Sequence, residues 1–390
     1  MPTRTARTPF VTAAEAAALL GVRRASLYAY VSRGRVRVAA HPSDPRARLY
    51  SLADIDVLLD RKAHGRRPAE AAAAALNWGL PVLETRVSRI ADGRLFYRDE
   101  DAIRLSGHGA LEDVARLLWE CGEADPFRPA KATSFRPAWQ RGDPIGCAIV
   151  ALSEIEPTVA KHRRPSDIVQ SAAILRFVAA AAVGAPLPAG PVHRAIARAW
   201  ERPDAADHIR RALVLVADHE LNASTFAARV VASTGASLSM CVIAGLAALS
   251  GPRHGGATAE VAAFFDECAR RGRGAAIRRR RARDRALPGF GHRLYPEGDP
   301  RAAALLAACP PPPPLAAILD AVAAATGVAP NVDAALVVLE RAHRLPAGAA
   351  LVLFAIGRTV GWLAHAMEQR ATGQLIRPRA AYVAAAPPRR

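Results

Sequence analysis

Apolar residues recur every three or four positions along most of the chain, which is the spacing of amphipathic helices. This periodicity begins near residue 100, and proline and glycine separate one apolar stretch from the next. The predicted helices span residues 111–119, 166–183, 191–200, 204–216, 226–249, 257–271 and 352–368. The main body of the protein is therefore predicted to be mainly α-helical.

A different pattern precedes these helices. Apolar and polar residues alternate over residues 82–90 and again over 94–98, and Asp92-Gly93 lies between the two stretches. Alternation is typical of a half-buried strand, and Asp-Gly is a strong signal for a tight hairpin turn. We therefore predict one short β-hairpin at the start of the helical body.

The N-terminal region has the pattern of two short helices joined by a turn. Thr12 and Glu15 have the spacing of a capping box, which predicts a helix start, and Gly21-Val22 then predicts a turn before a second helix over residues 23–33. The residues predicted to face inward are Ala16, Leu19 and Leu20 in the first helix and Leu27, Tyr28 and Val31 in the second. The pattern is that of a helix-turn-helix.

Two strand-like stretches follow the second helix, at residues 35–38 and 46–50, and Ser51 has the position of a cap for a third helix. With Glu-Ala-Ala-Ala-Leu-Leu-Gly-Val, Leu-Tyr-Ala-Tyr-Val-Ser-Arg-Gly and Arg-Leu-Tyr-Ser, this winged unit resembles the DNA-binding module of MerR-type regulators and excisionases. The resemblance implies that residues 10–62 bind DNA. The alternative is a winged unit that has lost DNA binding and serves in docking or assembly.

Composition narrows the class of protein. The net charge is +18 and the pI about 10.9, but arginine is spread along the whole chain, so the charge permits anionic partners without identifying one. No apolar run reaches the roughly 18 residues of a membrane-spanning helix, and no signal peptide is evident, so a cytoplasmic protein without membrane contact is expected. Five scattered cysteines without CxxC spacing predict reduced, buried thiols and no zinc site.

Three motifs each place a histidine at a predicted helix boundary. They are Asp-His-Glu-Leu-Asn-Ala-Ser (218–224), Gly-Pro-Arg-His-Gly-Gly-Ala (251–257) and Gly-Phe-Gly-His-Arg-Leu-Tyr (289–295). Metal binding is one alternative, but neither HxxxH nor HExxH spacing occurs at these positions and no acidic cluster accompanies them. Other histidines, including His208, His343 and His365, lie within helical patterns and are predicted to be structural.

Arginines and an aspartate follow these motifs. Asp299-Pro300-Arg301, Pro330-Asn331-Val332-Asp333, Arg358 and Arg377 succeed one another along the chain. Arginine forks bind carboxylates in a bidentate manner, and aspartate and histidine can transfer protons. The set indicates proton-transfer chemistry on an anionic substrate, although a solvated surface remains the alternative for any one arginine.

In order and spacing, these motifs resemble those of the citrate synthase family. The resemblance also covers Asp-Gly-Arg-Leu-Phe-Tyr-Arg in the hairpin and Gly-Arg-Thr-Val-Gly-Trp-Leu-Ala-His-Ala-Met-Glu-Gln near the C-terminus, and runs from about residue 80 to 382. It implies a large helical domain over 80–255 and 345–385 and a small closing domain over 256–344. Residues 8–62 would form the helix-turn-helix domain and 63–79 a linker.

By this resemblance, Asp333 is the base that removes a methyl proton from acetyl-CoA, His254 the group that hydrogen-bonds the thioester oxygen, and His292 the group that polarises the carbonyl of oxaloacetate. The residues that bind its carboxylates would be His219, Arg301, Arg358 and Arg377. Arg377 would come from the partner subunit, which implies at least a homodimer. Acetyl-CoA would be a co-substrate, with no permanently bound cofactor and no metal.

The expected function is that of a citrate synthase of the tricarboxylic acid cycle, an acyltransferase that yields citrate and CoA. Two alternatives stay open. A 2-methylcitrate synthase would use propionyl-CoA, and the Ala334-Ala335-Leu336 that follows Asp333 departs from the family pattern in a way that could alter this choice. A DNA-binding regulator would instead sense a metabolite through the same cleft.

Overall fold

The structure is a computed structural model. It describes residues 10–32, 35–41, 44, 47–52, 54–55, 58, 82–128, 133, 136, 143–161, 166–282, 286–380 and 382. The predicted linker over residues 63–79 lies outside them. The chain divides into two compact units, Met1–Glu84 and Thr85–Arg390.

The described part of the N-terminal unit includes two helices with defined bounds and a small sheet. Its described elements, in chain order, are β1 (Phe10–Thr12), α1 (Ala13–Leu20), α2 (Arg24–Ser32), β2 (Val38–Ala40) and β3 (Arg48–Ser51). The predicted capping box is confirmed, because Thr12 and Glu15 each bond the other's backbone N–H. The strands form an antiparallel sheet in the order β1-β3-β2, whose first strand the sequence pattern did not predict.

The inward faces of α1 and α2 differ from the prediction at two positions. Leu20 and Leu27 are buried, but their neighbours Leu19 and Tyr28 are 38% and 61% exposed. Successive helical residues point about 100° apart, so a narrow apolar stripe cannot contain both members of either pair. The bounds of the predicted third helix lie outside the described residues.

The second unit begins with the predicted hairpin. Strands β4 (Ser88–Ala91) and β5 (Arg94–Tyr97) pair in antiparallel fashion, and β6 (Glu100–Asp101) adds a short third strand. Asp92 and Gly93 both have positive φ, as a tight turn of this kind requires. The first strand is shorter than predicted: it begins at Ser88, and residues 82–87 are not part of it.

The other regular elements described in this unit are helices. They are α3 (Ala102–His108), α4 (Leu111–Leu118), α5 (Pro144–Lys161), α6 (Asp167–Val183), α7 (Val192–Ala199), α8 (Ala206–Leu215), α9 (Ala223–Ser233), α10 (Leu238–Leu249), α11 (Ala257–Arg271), α12 (Arg273–Arg281), α13 (Pro300–Ala308), α14 (Pro313–Thr326), α15 (Val332–Ala342) and α16 (Ala349–Thr372). The single helix predicted over 226–249 is wrong: Gly235, with φ of +80°, ends α9, and Ser237 caps α10. The mainly α prediction is confirmed.

Helix α16 is the central element of the core. It is long and apolar enough to cross a membrane by composition, but 89% of its apolar window is buried inside the structure, as in a core helix. Gly245 of α10 lets α16 approach closely, because a Cβ there would lie 2.6 Å from the ring of Trp362. All five cysteines are buried and none forms a disulfide, so the prediction of buried, reduced thiols is confirmed.

Candidate active site

The segment between α8 and α9 rests on the hairpin. The Ser88 hydroxyl donates to the buried carboxylate of Asp218, which also faces Nε2 of His365 at 3.3 Å. The N–H of Ile90 donates to the Glu220 carboxylate at 2.7 Å, and Glu220 itself has φ of +51°. A non-glycine residue in this region is strained, and such strain persists where surrounding contacts fix it. The hairpin therefore fixes the histidine between these two acids.

That histidine, His219, meets His292 and Tyr295. The His219 and His292 rings lie 5.1 Å apart in an edge-on arrangement, and Nε2 of His219 is 3.0 Å from the Tyr295 hydroxyl. Burial and the charge of Arg301 lower the pKa of His292 to about 4, and burial lowers that of His219 well below its usual value. The N–H of Leu294 donates to Nδ1 of His292 at 3.2 Å, which places the proton of neutral His292 on Nε2.

His254 lies in the loop after α10. Its Nε2 is 2.7 Å from the hydroxyl oxygen of Ser224. That oxygen accepts a hydrogen bond from the Trp362 indole N–H at 3.1 Å. The His254 ring meets that of Phe354 edge-on, with 5.9 Å between centroids. Burial, and secondarily the charge of Arg358, lowers the pKa of His254 to about 4, so this imidazole is neutral at physiological pH.

Arg301 is buried at the start of α13. Its Nε and Nη2 donate to both oxygens of Asp299, at 2.9 and 2.8 Å, and Asp299 also accepts from the N–H of Val332 at 3.0 Å. Burial would raise the pKa of Asp299, but Arg301 and these hydrogen bonds hold it below its ordinary value. This ion pair thus connects the start of α13 to the start of α15.

Arg358 of α16 is the other buried cation, and it is 1% exposed. Its Nε donates to the carbonyl of Val216 at 2.9 Å, and its guanidinium lies 4.7 Å from the centre of the Phe354 ring. Its Nη2 has no hydrogen-bond partner among the described residues. Burial lowers the pKa of Arg358 to about 10, so it keeps its charge. A buried guanidinium with an unused donor is suited to bind an anion.

Asp333 lies in the first turn of α15. Asn331 caps this helix, and its amide donates to the carbonyl of Gly291 at 3.1 Å, while the N–H of Gly291 donates to Ala329 at 2.9 Å. The loop that carries His292 is therefore bonded to the loop before Asp333. Burial raises the pKa of Asp333 to about 6 even though Arg301 and Arg358 oppose the shift.

Six of the seven predicted residues thus share one electrostatic environment. The charge of Arg358 acts on His219, His254 and Asp333, and that of Arg301 acts on His219 and His292. Arg377 is not part of this group. It lies exposed on the segment after α16 and forms no hydrogen bond or ion pair with the described residues.

Sequence reasoning gave no role to Ser224, Asn331, Tyr295 or Asp299, which orient the predicted groups. All four stand inside the quoted motifs, so the signal was present. The sequence could not show which side chains they contact, because such contacts can join residues as far apart as Ser224 and Trp362.

Most of the chain, including the site, resembles known proteins. The family model for the citrate synthase C-terminal domain matches residues 75–379. The chain belongs to the citrate synthase family. Citrate synthase 2 of Bacillus subtilis is 36% identical over 191 residues, which make up 46% of this chain and 51% of the relative. The 2-methylcitrate synthase 2 of Corynebacterium glutamicum is 34% identical over 183 residues, 44% of this chain and 48% of the relative. The chain thus spans about half the length of the curated relatives it matches.

The fold of this chain also matches those of solved citrate synthase structures. A citrate synthase from Thermoplasma acidophilum, in a ternary complex with carboxymethyl coenzyme A and oxaloacetate, has a TM-score of 0.65. The match covers 80% of this chain and 96% of that one at 24% identity, which shows the fold alone. The predicted citrate synthase fold is confirmed. The division into large and small domains, the helix-turn-helix and the residue roles stay predictions.

Proposed function

We propose that this protein condenses an acyl-CoA with oxaloacetate, as a citrate synthase does, with Asp333 as base, His254 as enol stabiliser and His292 as carbonyl polariser. The observation that carries the proposal is the pairing of Asp333, whose pKa is raised to about 6, with two histidines held neutral. A base with a pKa near the working pH combines a high ionised fraction with good proton affinity. A neutral imidazole keeps one N–H group that can donate a hydrogen bond. It is a much weaker acid than a protonated imidazole.

One tautomer of His254 suits this role. The Ser224 hydroxyl lies 2.7 Å from Nε2 of His254 and 2.8 Å from the side-chain oxygen of Asn222, and its single proton can go to either. The Asn222 oxygen already accepts two backbone N–H groups, and the Trp362 indole can only donate to the Ser224 hydroxyl. Donation of the Ser224 proton to Nε2 of His254 leaves a proton on Nδ1. That N–H would donate to the thioester oxygen as negative charge develops on it, and such a donor contributes about 2.7 to 4 kcal/mol.

The reaction would proceed in three steps. Asp333 removes a proton from the acyl α-carbon, and the resulting enol(ate) attacks the carbonyl carbon of oxaloacetate. The carbonyl oxygen takes the Nε2 proton of the polarising His292 and becomes the tertiary hydroxyl, and exchange through solvent returns the proton held by Asp333 to His292. Water then cleaves the thioester and releases CoA.

Oxaloacetate needs cationic partners for its two carboxylates. Arg358 offers its unused Nη2, and Arg301 offers Nη1, since Asp299 occupies its other two donor nitrogens. The Tyr295–His219 contact places a further polar group beside them. This part of the proposal is supported by the ternary complex of the Thermoplasma acidophilum structural neighbour with oxaloacetate.

The test is CoA release from acetyl-CoA and from propionyl-CoA, each with and without oxaloacetate. Oxaloacetate-dependent release should collapse in Asp333→Asn and persist in Asp320→Asn, an exposed aspartate on α14. The ratio of the two thioesters decides between citrate and 2-methylcitrate synthesis, which one methyl group separates by about 1 to 3 kcal/mol. Oxaloacetate binding without any release would overturn the catalytic proposal and favour a metabolite sensor.

We also propose a homodimer in which Arg377 enters the cleft of the partner. Its exposure on the segment after α16 leaves it accessible for such a role. Coexpression of Asp333→Asn with Arg377→Met tests this, because a mixed dimer has one intact site only if the arginine acts across subunits. Random mixing then restores about a quarter of wild-type activity, given twofold symmetry. No recovery, with mixed dimers present, would contradict the assignment.

For the N-terminal unit we propose DNA binding through α2. Arg23, Ser26 and Tyr28 are exposed at or near the start of this helix, and such groups bind phosphates and bases. Fluorescence anisotropy of the full chain on labelled duplexes should show salt-dependent binding, and Arg23→Ala should reduce the salt slope by about 1. The control is Leu19→Ala on α1. Absence of binding at low salt would leave a role in assembly only.

A further inference from the structure

Two histidines and a cysteine meet away from the candidate active site. His208 lies on α8, Cys309 follows the last residue of α13, and His343 follows the last residue of α15. One ligand atom from each lies within 4.8 Å of the other two. It is the one grouping of three or more potential metal ligands of this kind among the residues that the structure describes. Sequence reasoning took both histidines as structural.

The two imidazoles face each other through nitrogen atoms. Nδ1 of His208 is 2.8 Å from Nε2 of His343. The Asp204 carboxylate lies 3.3 Å from Nδ1 of His343 and favours a proton there, so Nε2 of a neutral His343 presents a lone pair to His208. The backbone of Ala308, which precedes the cysteine, hydrogen-bonds His208.

These outer contacts are the kind that accompany metal ligands. Histidines that bind metals commonly donate their second nitrogen to a carboxylate or a backbone carbonyl, which fixes the ring and its tautomer. Asp204 stands in that relation to His343. Cys309 is 4% exposed and the two histidines are half-buried, so the cluster is shielded but reachable from solvent.

We propose that His208, Cys309 and His343 form a binding site for a divalent zinc-like cation, with water as the fourth ligand. Imidazole nitrogen and thiolate sulfur are the donors that zinc prefers. Tetrahedral zinc with such ligands needs donor separations of about 3.3 to 3.6 Å. The two histidine nitrogens, 2.8 Å apart, must therefore move slightly apart, which side-chain rotation can supply.

The cluster joins two parts of the fold. His343 ends the helix that begins beside Asp333, whereas His208 lies on α8, shortly before the segment that carries His219. His208 falls outside the predicted small domain of 256–344 and the other two ligands fall inside it. A bound cation would tie α15 to α8. The metal site itself does not depend on the proposed function, but any effect on domain closure and turnover does.

The experiment begins with reduced full-length protein freed of metal by chelation. Addition of Co²⁺ should produce thiolate-to-cobalt charge-transfer absorption that saturates at one ion per chain, and Zn²⁺ should abolish it by displacement. Cys309→Ser should lose this absorption, whereas Cys268→Ser, a matched change of a buried cysteine on α11, should retain it. Circular dichroism and unfolding curves establish that each variant is folded.

A second variant, Asp204→Asn, tests the metal site even if a variant of one of the ligands fails to fold. This exposed residue is not a ligand, so the fold should tolerate the change, and loss of the outer carboxylate should weaken Co²⁺ binding by about 10- to 100-fold. Folded wild type without a saturable thiolate–cobalt band would overturn the proposal, as would equal bands in wild type and Cys309→Ser. Because binding is read without substrate, failure here is distinct from failure of the proposed condensation.

Discussion

Replacing Asp333 with asparagine should stabilise the fold while it removes the proposed base. Asparagine has nearly the same shape as aspartate and keeps polar atoms at the start of α15, but it carries no charge. The side-chain carboxylate of Asp333 has no hydrogen-bond donor among the described residues, and burial raises its pKa to about 6 from the ordinary 3.8. The folded protein therefore pays for an ionised group that the unfolded chain solvates freely.

The size and sign of the effect follow from proton linkage. Between the unfolded pKa of 3.8 and the folded pKa of about 6, the folded chain binds this proton more tightly, so ionisation destabilises the fold increasingly as pH rises. The difference corresponds to roughly 3 kcal/mol, which is fully developed above pH 6. Below the unfolded pKa the carboxyl group is neutral in both states, and the advantage of asparagine disappears.

Urea unfolding measures this difference through the midpoint and slope of the transition. Asp333→Asn should be more stable than wild type by up to about 3 kcal/mol near pH 7.5, with a gain that shrinks steadily as pH approaches the ordinary aspartate pKa. Asp320→Asn, on an exposed position, should match wild type across this range. An asparagine variant that is no more stable near pH 7.5, or whose gain is independent of pH, would refute the argument that burial raises the pKa of Asp333.

Three further predictions test separate parts of the structure. In the wild type, kcat/KM for oxaloacetate-dependent CoA release should rise as pH passes through about 6, where Asp333 ionises. Stopped-flow pH profiles should show no second inflection between pH 6 and pH 7, because His254 and His292 are already neutral there. Arg358→Lys should raise the KM for oxaloacetate by about tenfold or more, since lysine cannot supply the guanidinium fork, whereas Arg128→Lys on the exposed surface should leave it unchanged. Gly245→Ala should lower the free energy of unfolding by about 1 to 3 kcal/mol because the new methyl group meets Trp362; Gly107→Ala, in open space on α3, should not lower it.

Features set by local sequence were the ones that could be predicted. The Thr12–Glu15 capping box, the Asp92-Gly93 turn and the helix over 257–271 all occur as expected, because each depends on residues within a few positions of one another. The break between α9 and α10 was missed because apolar residues continue on both sides of Gly235 with the spacing of a single helix. Tyr28 was misplaced because helical periodicity alone does not decide which of two adjacent apolar residues faces the core.

The candidate site could be predicted from the sequence only in part, for a related reason. The motifs show where a histidine or an arginine stands in the chain, but the properties that make them useful arise from distant partners. Nothing local to Asp333 raises its pKa, and the tautomer of His254 depends on Ser224, thirty residues away. The same holds for His208 and His343. The helical sequence pattern around each residue did not indicate that the two side chains contact one another.

The loops around Asp333 show how such distant partners act together. Gly289 has φ of +82°, and a Cβ there would lie 2.8 Å from Val261 and 3.0 Å from Ala334, so a larger residue would displace either α11 or α15. The carbonyl of Gly289 accepts from the N–H of Asn331 at 2.8 Å. The loop of His292 and the first turn of α15 are thus bonded and packed as one piece, and a change that moves one of the two proposed reacting groups must move the other with it.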